Sequence, residues 1–499
     1  MILLLVFLPL VAGLAAWFIR SNRLRRLLLI AVALIHLGLT GLAWIDRPGP
    51  VFSGWLLLDD LGLLFLSIVS VLFLAAASYA VGYFQREDWG KRQDFEDGFL
   101  FTNAREATFT CCLLFFLATM SLVCLSQDFG LLWVAVEATT LASAPLIYFH
   151  RHRRSLEATW KYLMICSVGI GLALLGNFFL AVASTIGPNE SIPMIVGSLI
   201  ANAPLLHPLW LKVAFLFLVV GYGTKLGLAP MHTWLPDAHS EAPSMVSSLL
   251  SGALLNCAFL AVLRGLQVCT AAGQGQFAQE VLLGFGLVSM TIAAVFIVGQ
   301  TDFKRMLAYS SIEHMGILAL AVGLGGAAYF GALFHAVNHS LTKAMLFLVA
   351  GNILTAYKTK SAQEVRGAVK FLPISGVLWF AGFLAITGSP PFGPFLSELI
   401  ILKSALDQGR IAIAVAFLLL LSVIFIGMAA IVLRMCQGTP VLESTGESLQ
   451  VETSQARRAE SALAVIPPLA LGLGVLVLGI YLPPALSGLI EHAAKVIGG

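Results

Sequence analysis

The sequence has 499 residues, of which 59% are hydrophobic and only 11% are charged. Ordinary soluble domains have about 25% charged residues, so this composition excludes a soluble globular protein and predicts a polytopic membrane protein. The formal net charge of +3 gives no reason to expect a nucleic-acid partner. The seven cysteines form no CxxC pair and no nucleotide-binding motif is present, so we expect no disulfide framework, iron–sulfur cluster or other cofactor.

Apolar windows of about 20 residues, the length that crosses a bilayer, predict fourteen transmembrane helices. The windows are 2–19, 27–45, 61–84, 107–126, 129–149, 158–184, 209–229, 243–263, 279–299, 306–324, 329–355, 371–389, 411–435 and 462–485. The twelfth continues past a proline-rich break at 388–394 into a half-helix at 395–407. The predicted fold is therefore all-α.

The distribution of positive charge predicts the orientation of the chain. Of the 29 Lys and Arg residues, 21 lie in loops that follow odd-numbered windows, and five lie in loops and ends on the other side. Because Lys and Arg are enriched in cytoplasmic loops, this split predicts that both termini lie outside the cytoplasm.

The seventh window contains a lysine and is followed by a break. About 17 apolar residues precede Lys225, and a lysine at such depth costs about 2.5–3.5 kcal/mol on insertion scales, so a carboxylate or water is expected beside it. Pro230 removes a backbone donor and breaks the helix. Broken helices at membrane depth are tolerated only against protein or a water-filled cavity, so the window predicts a hydrated polar site. The alternative is a lysine that extends to the membrane surface beside an ordinary loop.

Matching patterns predict an internal repeat. Asp128 opens the fifth window and Asp302 opens the tenth, and each is followed along its helix by a glutamate, Glu137 or Glu313. The seventh and twelfth windows are both broken by proline and both carry a charge. These matches predict two five-helix repeats, and because five is odd, the second must be inverted relative to the first. Inverted repeats with broken helices are a recurring transporter design, with ion sites near the midplane.

The repeats divide the chain into four predicted parts. The parts are 1–106 with three helices and a charged loop, 107–264 with the first repeat, 279–436 with the second repeat, and 437–499 with a polar loop and the last helix.

Glu137 and Lys225 form the first candidate site. Burial disfavours the charged form of each side chain, so either alone becomes neutral, whereas together they stabilise each other's charge. Separating the two makes the lysine release its proton more readily, so a separable pair acts as a proton switch. A static ion pair that fixes two helices is the alternative.

The eleventh window carries a stripe of titratable side chains. Spacing of four places His335, His339 and Lys343 on one helix face. Histidine titrates near neutral pH, so the stripe can pass protons along its length. A packed, hydrogen-bonded histidine pair is one alternative. A zinc site is another, although the sequence supplies no evident third ligand, and we expect no metal.

The second break carries its own carboxylate. Glu398 lies four residues after Pro394 and mirrors Lys225 in the repeat, which predicts a terminal proton site. Lys403 is either its partner or extends to the membrane surface. An exposed half-helix carboxylate is the alternative for Glu398.

Five other residues are secondary candidates. Glu313 and His314 are adjacent, so they point to different faces and only one is expected to meet the polar axis. Asp237, His239 and Glu241 lie at the cytoplasmic end of the first break, where they either admit protons or solvate a loop.

Four long motifs carry a family resemblance. They are HTWLPDAHSEAP (232–243), TDFKRMLAYSSIEHMG (301–316), HAVNHSLTKAMLF (335–347) and GSPPFGPFLSE (388–398). Through them the chain resembles, over roughly 60–435, the antiporter-like proton-translocating subunits of respiratory complex I, multisubunit sodium/proton antiporters and membrane-bound hydrogenases. SQDFGLLWVAVEATTLASAPLI (126–147) and AYSSIEHMG (308–316) are most similar to the component F branch of hydrogenase-4-type complexes.

The resemblance implies proton movement driven by redox chemistry in partner subunits. Those partners are other membrane subunits and, through them, iron–sulfur, hydrogenase or dehydrogenase subunits, in a bacterial cytoplasmic (inner) membrane. This chain, although part of an oxidoreductase complex, has no redox centre of its own by this reasoning. The family's essential glutamate and lysine fall on Glu137 and Lys225, its histidine and lysine of the eleventh helix on His339 and Lys343, and its exit residue on Glu398.

Alternatives to that function stay open. The same architecture serves sodium/proton antiporter subunits, in which ion exchange replaces redox chemistry and sodium takes part, and a scaffold that conducts nothing is a third possibility.

Three departures from the family pattern bear on these alternatives. Asn256 falls where several members have a lysine in the eighth helix, and Glu313 falls where many have a small polar residue. No counterpart of the long lateral helix of the distal complex I subunit is expected after the last window.

Overall fold

A computed structural model describes residues 1–87, 90–94, 98–187, 190–438 and 460–498 of the protein. Most of the predicted polar tract, including Arg457 and Arg458 of the charge count, lies outside the described residues. The described part is mostly helical, with two short antiparallel strand pairs. They are β1 Arg92–Gln93 with β2 Leu100–Phe101, and β3 Thr185–Gly187 with β4 Glu190–Ser191.

The helices, in chain order, are α1 Ile2–Phe18, α2 Asn22–Ile45, α3 Asp60–Arg86, α4 Glu106–Leu125, α5 Phe129–Ile147, α6 Arg153–Ala183, α7 Val196–Ala201, α8 Pro208–Leu226, α9 Trp234–Glu241, α10 Ser244–Ala271, α11 Gly275–Ile297, α12 Phe303–Leu324, α13 Ala328–Tyr357, α14 Ala368–Phe371, α15 Pro373–Ile386, α16 Gly393–Asp407, α17 Ile411–Cys436, α18 Ala462–Ile480 and α19 Pro484–Gly498.

The described residues contain 12 helices that are long and apolar enough to cross a membrane. They match every predicted window except the first and the twelfth, where α1 and α15 have 17 and 14 residues. The prediction of an all-α polytopic membrane protein is confirmed, and the count of fourteen spans stays a prediction. After the last span, the structure adds the 15-residue helix α19, which packs against α3, α10 and α13.

Asp128 and Asp302 have the same local role in the two predicted repeats. Each side chain accepts a backbone N–H of the first turn of its own helix, α5 or α12. Each aspartate also pairs with the segment that follows the next long helix, since Asp128 bridges Ile195 after α6 and Asp302 bridges Ser361 after α13. Equivalent positions of the two five-helix units therefore have equivalent contacts.

The two bridges lie at opposite ends of the helical bundle. Gln127, beside Asp128, donates a hydrogen bond to the carbonyl of Leu57 at 3.1 Å, just before α3 begins. Asp302 accepts a hydrogen bond from Ser240 at 2.6 Å, beside a cavity that Tyr83 near the end of α3 also lines. Because α3 crosses the bundle, the second unit is inverted relative to the first, as predicted. The residue boundaries of the four parts stay a prediction.

Both predicted helix breaks are present. α8 ends at Leu226, Gly227 has a φ of +85°, and α9 begins only at Trp234. α15 ends at Ile386, and α16 begins at Gly393. The chain is therefore non-helical over six or seven residues at each place where the proline pattern predicts a break.

The helices at the centre of the bundle are shielded from lipid. The apolar windows of α10 and α12 are 100% buried, and the window of α13 is 78% buried. α10 contains one π-helical turn at Leu250–Leu254, a feature that often marks functional positions. Polar side chains on these helices therefore face protein rather than hydrocarbon.

Glycines let α11 and α12 approach closely. A Cβ atom at Gly286 would lie 2.6 Å from the backbone nitrogen of Leu320, and one at Gly316 would lie 2.9 Å from the carbonyl oxygen of Gly286. Gly284, on the same helix, has open space where its Cβ atom would stand. Small residues at the contact of membrane helices allow such close backbone packing.

We expect Gly286→Val to lower the thermal stability of the detergent-solubilised protein, because backbone atoms cannot move aside for the new side chain. Overpacking of a tight core typically costs about 1–3 kcal/mol. Size-exclusion chromatography after stepwise heating measures the loss. Gly284→Val is the matched control and should melt like the wild type, and equal melting of the two variants would contradict the close α11–α12 packing.

Candidate functional site

Lys225 is buried in the last turn of α8, just before the first break. Its side chain is 2% exposed, and Nζ donates hydrogen bonds to Oγ1 of Thr140 at 2.7 Å and to Oη of Tyr162 at 2.6 Å. Nζ also lies 4.6 Å from the centre of the Tyr162 ring. The lysine therefore lies inside the protein and does not extend to the membrane surface.

Glu137 is linked to Lys225 through a hydroxyl group. The Thr140 hydroxyl donates to Oε2 of Glu137 at 3.1 Å, and Oε1 of Glu137 accepts from Ser167 at 3.4 Å. Within the described residues, Glu137 and Lys225 form no ion pair within 4.0 Å. The two residues of the predicted pair are thus brought together, with the Thr140 hydroxyl bridging them.

A directed set of hydrogen bonds continues from Lys225. Ser143 donates its proton to the carbonyl of Thr139 at 2.7 Å, so it accepts a hydrogen bond from Tyr162 at 2.7 Å. The Tyr162 oxygen in turn accepts from Lys225. These hydroxyl groups stabilise the ammonium group without supplying a negative charge.

His239 lies beyond the first break in a buried aromatic setting. Its Nδ1 is 2.9 Å from the carbonyl of Leu235, so Nδ1 carries a proton. Nε2 is buried and has no hydrogen-bond partner among the described residues. The Trp234 ring stands between Tyr162, at 4.9 Å, and His239, at 6.0 Å, so the indole separates the first site from this histidine.

Asn256 connects α10 to α13. Its amide nitrogen donates to the carbonyl of Gly252 at 2.8 Å and to the hydroxyl of Ser340 at 2.5 Å. Its Oδ1 is buried without a partner in the described part of the chain. Asn256, which the resemblance aligns with a lysine of several members, therefore lies in the buried interior as a neutral polar group.

The α13 stripe is buried, but its members do not hydrogen-bond along the helix. His335 contacts His314 of α12 through Nε2 and Nδ1 at 2.9 Å. His339 has two buried ring nitrogens with no partner among the described residues, and Nζ of Lys343 donates to the carbonyl of Leu307 at 2.8 Å. His335 and Lys343 therefore form hydrogen bonds to α12 rather than to other members of the stripe.

Glu313 and His314, adjacent on α12, are both buried. Oε2 of Glu313 lies 4.0 Å from Nε2 of His314 and accepts a hydrogen bond from Ser310 at 3.4 Å. The expectation that only one of the two adjacent residues would meet the polar interior is wrong. α12 is buried on all sides, so opposite faces of this helix both meet protein.

Ser397 fixes the proton positions on His335. Its hydroxyl donates to the carbonyl of Pro394 at 2.8 Å, so it accepts from Nδ1 of His335 at 2.9 Å. A neutral His335 therefore has its lone pair on Nε2, where it accepts the Nδ1–H of His314.

Glu398 adds a carboxylate to the two histidines. It is 7% exposed, and its Oε1 has no hydrogen-bond partner in the described residues. One ligand atom each of His314, His335 and Glu398 lies within 4.8 Å of the others. Lys403 is not its partner, because Nζ of Lys403 binds Asp407 at 2.5 Å on the exposed face of α16.

A cluster of ion pairs holds α9 at the other end of the first break. Asp237 binds Lys161 of α6 at 3.0 Å and Arg305 of α12 at 2.8 Å. Glu241 binds Lys360 at 2.8 Å, in the segment after α13. Both units of the repeat therefore contact α9. Asp237 links them, because it pairs with a lysine of the first unit and an arginine of the second.

The cluster shifts the pKa of Glu241. Burial by itself would raise the pKa of this carboxyl group, but the positive charges of Lys360, His152 and Arg154 outweigh it and hold the pKa below its usual value. A carboxyl group with a lowered pKa stabilises the folded state above its unfolded pKa of about 4.3, and this stabilisation is lost as the pH falls through the folded pKa.

We expect Glu241→Gln to lower the melting temperature at pH 7, because it leaves Lys360 without its carboxylate. The difference from the wild type should narrow as the pH falls below about 4.3, where the wild-type carboxyl group is protonated. Thermal unfolding in detergent across this pH range measures the difference in melting temperature. Glu190→Gln, at an exposed glutamate, is the control. A difference that does not depend on pH would contradict an ionic role for Glu241.

Four contact residues were missed by the sequence reasoning. Thr140 was within reach, since it lies three residues after Glu137 and therefore on the same helix face. Tyr162, Ser143 and Ser397 gave no comparable signal, because their roles depend on how separate helices are rotated against each other.

Comparisons with known proteins give sequence relatives of this chain. A sequence profile described as NADH:quinone oxidoreductase/Mrp antiporter, TM matches residues 126–424. The chain is 33% identical over 457 residues to a hydrogenase-4 component F homolog of Methylacidiphilum infernorum (isolate V4), covering 91% of this chain and 90% of that protein. It is 28% identical over 455 residues to NADH-quinone oxidoreductase subunit N of Desulforudis audaxviator (strain MP104C), covering 88% and 86%.

A solved structure shares the fold. A chain of the membrane-bound sulfane sulfur reductase, an archaeal respiratory membrane complex, matches with a TM-score of 0.84 at 20% sequence identity, covering 100% of this chain and 97% of that chain. With the profile match and the relative at 33% identity, the family is established. The chain is an antiporter-like integral membrane subunit and belongs to the NADH:quinone oxidoreductase/Mrp antiporter family.

Proposed function

We propose that this chain translocates protons as a membrane subunit of a redox-driven complex of hydrogenase-4 or NADH:quinone oxidoreductase type. The relatives named above motivate the two types of complex. The observation that carries the proposal is the buried Lys225 at a helix break, hydrogen-bonded through Thr140 to Glu137.

The first step is a charge switch at Lys225. Its ammonium group is held by the oxygens of Thr140 and Tyr162, and the only carboxylate in this hydrogen-bonded chain is that of Glu137, one hydroxyl group further. Charges attract strongly in the low-dielectric interior, so Glu137 stabilises the ammonium while Thr140 bridges the two. When Glu137 moves away from Thr140, this stabilisation is lost and Lys225 gives its proton to the next base.

The later steps use the second unit. Lys343 and His339 on α13 receive the proton, with water connecting them to Lys225 past Asn256. His335, His314 and Glu398 then form the exit at the second break, where their ligand atoms lie within 4.8 Å of one another. Nitrogen bases of this kind carry protons and do not suit sodium, since hard cations take oxygen ligands.

The partners in this proposal are other membrane subunits and, through them, iron–sulfur, hydrogenase or dehydrogenase subunits. The chain carries no recognisable redox motif, so electron transfer belongs to those partners. Glu137 is only half-buried in this chain, so a neighbouring membrane subunit can reach it and drive the switch. The setting is the bacterial cytoplasmic membrane, with both termini outside the cytoplasm as the charge pattern predicts.

We expect Lys225→Ala to reduce redox-driven proton uptake into inverted membrane vesicles at least tenfold, because it removes the proton carrier of the first unit. A loss of 1.36 kcal/mol in the rate-limiting step already gives a factor of about ten. Fluorescence quenching of a pH-sensitive dye measures uptake, and immunoblotting of the purified complex checks assembly. Lys403→Ala, at an exposed lysine paired with Asp407, is the matched control and should pump normally.

Two results would contradict the proposal. Normal proton uptake by a fully assembled Lys225→Ala complex would show that the chain is a scaffold that conducts no protons. Uptake that depends on sodium and persists without electron transfer would assign it to the antiporter function instead.

We expect Thr140→Val to slow proton uptake about tenfold, because it removes the hydroxyl between Glu137 and Lys225 with little change in shape. Hydrogen bonds to charged groups contribute roughly 1.5–3 kcal/mol. Thr140→Ser keeps the hydroxyl and should restore most of the rate in the same vesicle assay. Equal rates of proton uptake for Thr140→Val and Thr140→Ser would show that the Thr140 hydroxyl has no part in proton transfer.

A further inference from the structure

The three ligand groups at the second break suggest a second chemistry. We propose that His314, His335 and Glu398 bind a divalent transition-metal ion of the zinc type, and that the bound ion blocks proton exit. The binding stands on the geometry of the three side chains, and the block rests in addition on the proposed function.

The three ligands come from three helices. His314 lies on α12, His335 on α13 and Glu398 on α16, and one ligand atom of each lies within 4.8 Å of the others. Zinc is bound at about 2.0–2.2 Å by histidine nitrogen and carboxylate oxygen, so tetrahedral ligand atoms stand roughly 3.3–3.5 Å apart. The two histidine nitrogens in contact are 2.9 Å apart, so they need to separate by only a few tenths of an ångström.

Second contacts orient these ligands as they do in known metal sites. Nδ1–H of His335 donates to Ser397, which leaves the Nε2 lone pair directed at His314. Oε2 of Glu313 lies 4.0 Å from Nε2 of His314, which is beyond hydrogen-bond distance, so the two side chains have to move closer before Glu313 accepts the proton that His314 carries on Nε2 when Nδ1 binds the ion. Histidine ligands of metals almost always donate their second N–H to such a group.

Unsatisfied polar atoms are a separate indication of a ligand. In the described part of the chain, Oε1 of Glu398 is buried at the ligand cluster without a hydrogen-bond partner. Buried polar atoms without partners are rare and costly, at about 1–3 kcal/mol each. Both ring nitrogens of His339 are also unpartnered, and its ring lies 5.1 Å from that of His314, so His339 or water can supply a fourth ligand.

The donor set selects the class of ion. Two imidazole nitrogens and one carboxylate oxygen suit Zn²⁺, Co²⁺ and similar borderline ions, whereas Mg²⁺ and Ca²⁺ take oxygen ligands. The described cysteines include none within this group, so a soft monovalent copper ion is disfavoured.

Glu398 is the ligand that lies at the second break. Its Oε2 lies directly against Gly388, so close that a Cβ atom at that glycine would be 1.9 Å from it. Once coordinated, the lone pairs of all three side chains are occupied and accept no proton.

Metal binding can be measured without any pumping. Purified complex is stripped with a chelator and dialysed against buffered Zn²⁺, and bound zinc is counted by inductively coupled plasma mass spectrometry. Co²⁺ in place of Zn²⁺ should give the visible absorption of a tetrahedral nitrogen–oxygen site. We expect one tightly bound ion per chain, and its loss in His335→Gln and in Glu398→Gln.

The control is His207→Gln, at an exposed histidine, which should keep the bound ion. Unchanged zinc stoichiometry in an assembled His335→Gln or Glu398→Gln complex would overturn the site. Two independent ligand variants are used so that misfolding of one leaves the other to decide.

The block is tested on wild-type vesicles. Zinc at the concentration that fills the site should abolish proton uptake, and chelation should restore it. Full occupancy with normal uptake would overturn the block. A chain that binds zinc at these residues but pumps no protons in any condition would refute the proposed function and leave the metal site standing.

Discussion

The structure depends on one constraint: a positive charge and backbone groups without hydrogen-bond partners are costly in free energy at membrane depth. Lys225 is 2% exposed, and its hydrogen-bond partners in the described residues come from two other helices. α5 supplies Thr140 and α6 supplies Tyr162. The break after α8 leaves backbone donors as well, and Ser289 of α11 accepts the N–H of Ala229 at 2.9 Å. Lipid cannot satisfy such groups, so neighbouring helices must enclose the break.

Enclosing two breaks determines the architecture of the bundle. The inverted repeat places one break in each unit, and α10, α12 and α13 fill the space between them. This accounts for the complete burial of α10 and α12, whose polar side chains would otherwise face hydrocarbon. The two breaks differ in chemistry, because hydroxyl groups surround Lys225 whereas imidazoles surround Glu398. The first break therefore places a lysine among hydroxyl groups, and the second places a carboxylate beside imidazoles.

The sequence predicts what is local and misses what depends on packing. Spans, breaks and the repeat follow from hydrophobic length, proline and matched aspartates, all of which are readable along the chain. The rotation of each helix about its axis is not readable in this way, so the Thr140 hydroxyl between Glu137 and Lys225 was overlooked. Lys403 was considered as a partner for Glu398, but Asp407 at i+4 on the same helix is nearer.

The same limit applies to the histidines. Spacing of four correctly placed His335 and His339 on one face of α13, and it could not show that His314 of another helix binds His335. The third metal ligand was invisible for the same reason, because Glu398 is 63 residues further along the chain than His335. Only the packing of three helices brings these side chains together.

Unpartnered polar atoms define the space between the two breaks. Nε2 of His239, Oδ1 of Asn256, Oδ1 of Asn338 and both ring nitrogens of His339 are buried without protein partners in the described residues. They lie on α9, α10 and α13, between Lys225 and Glu398. Each costs about 1–3 kcal/mol if left alone, and native proteins satisfy such groups with water. Water along this line can bridge Asn256, so a neutral amide in place of the family's lysine does not by itself interrupt the proposed route.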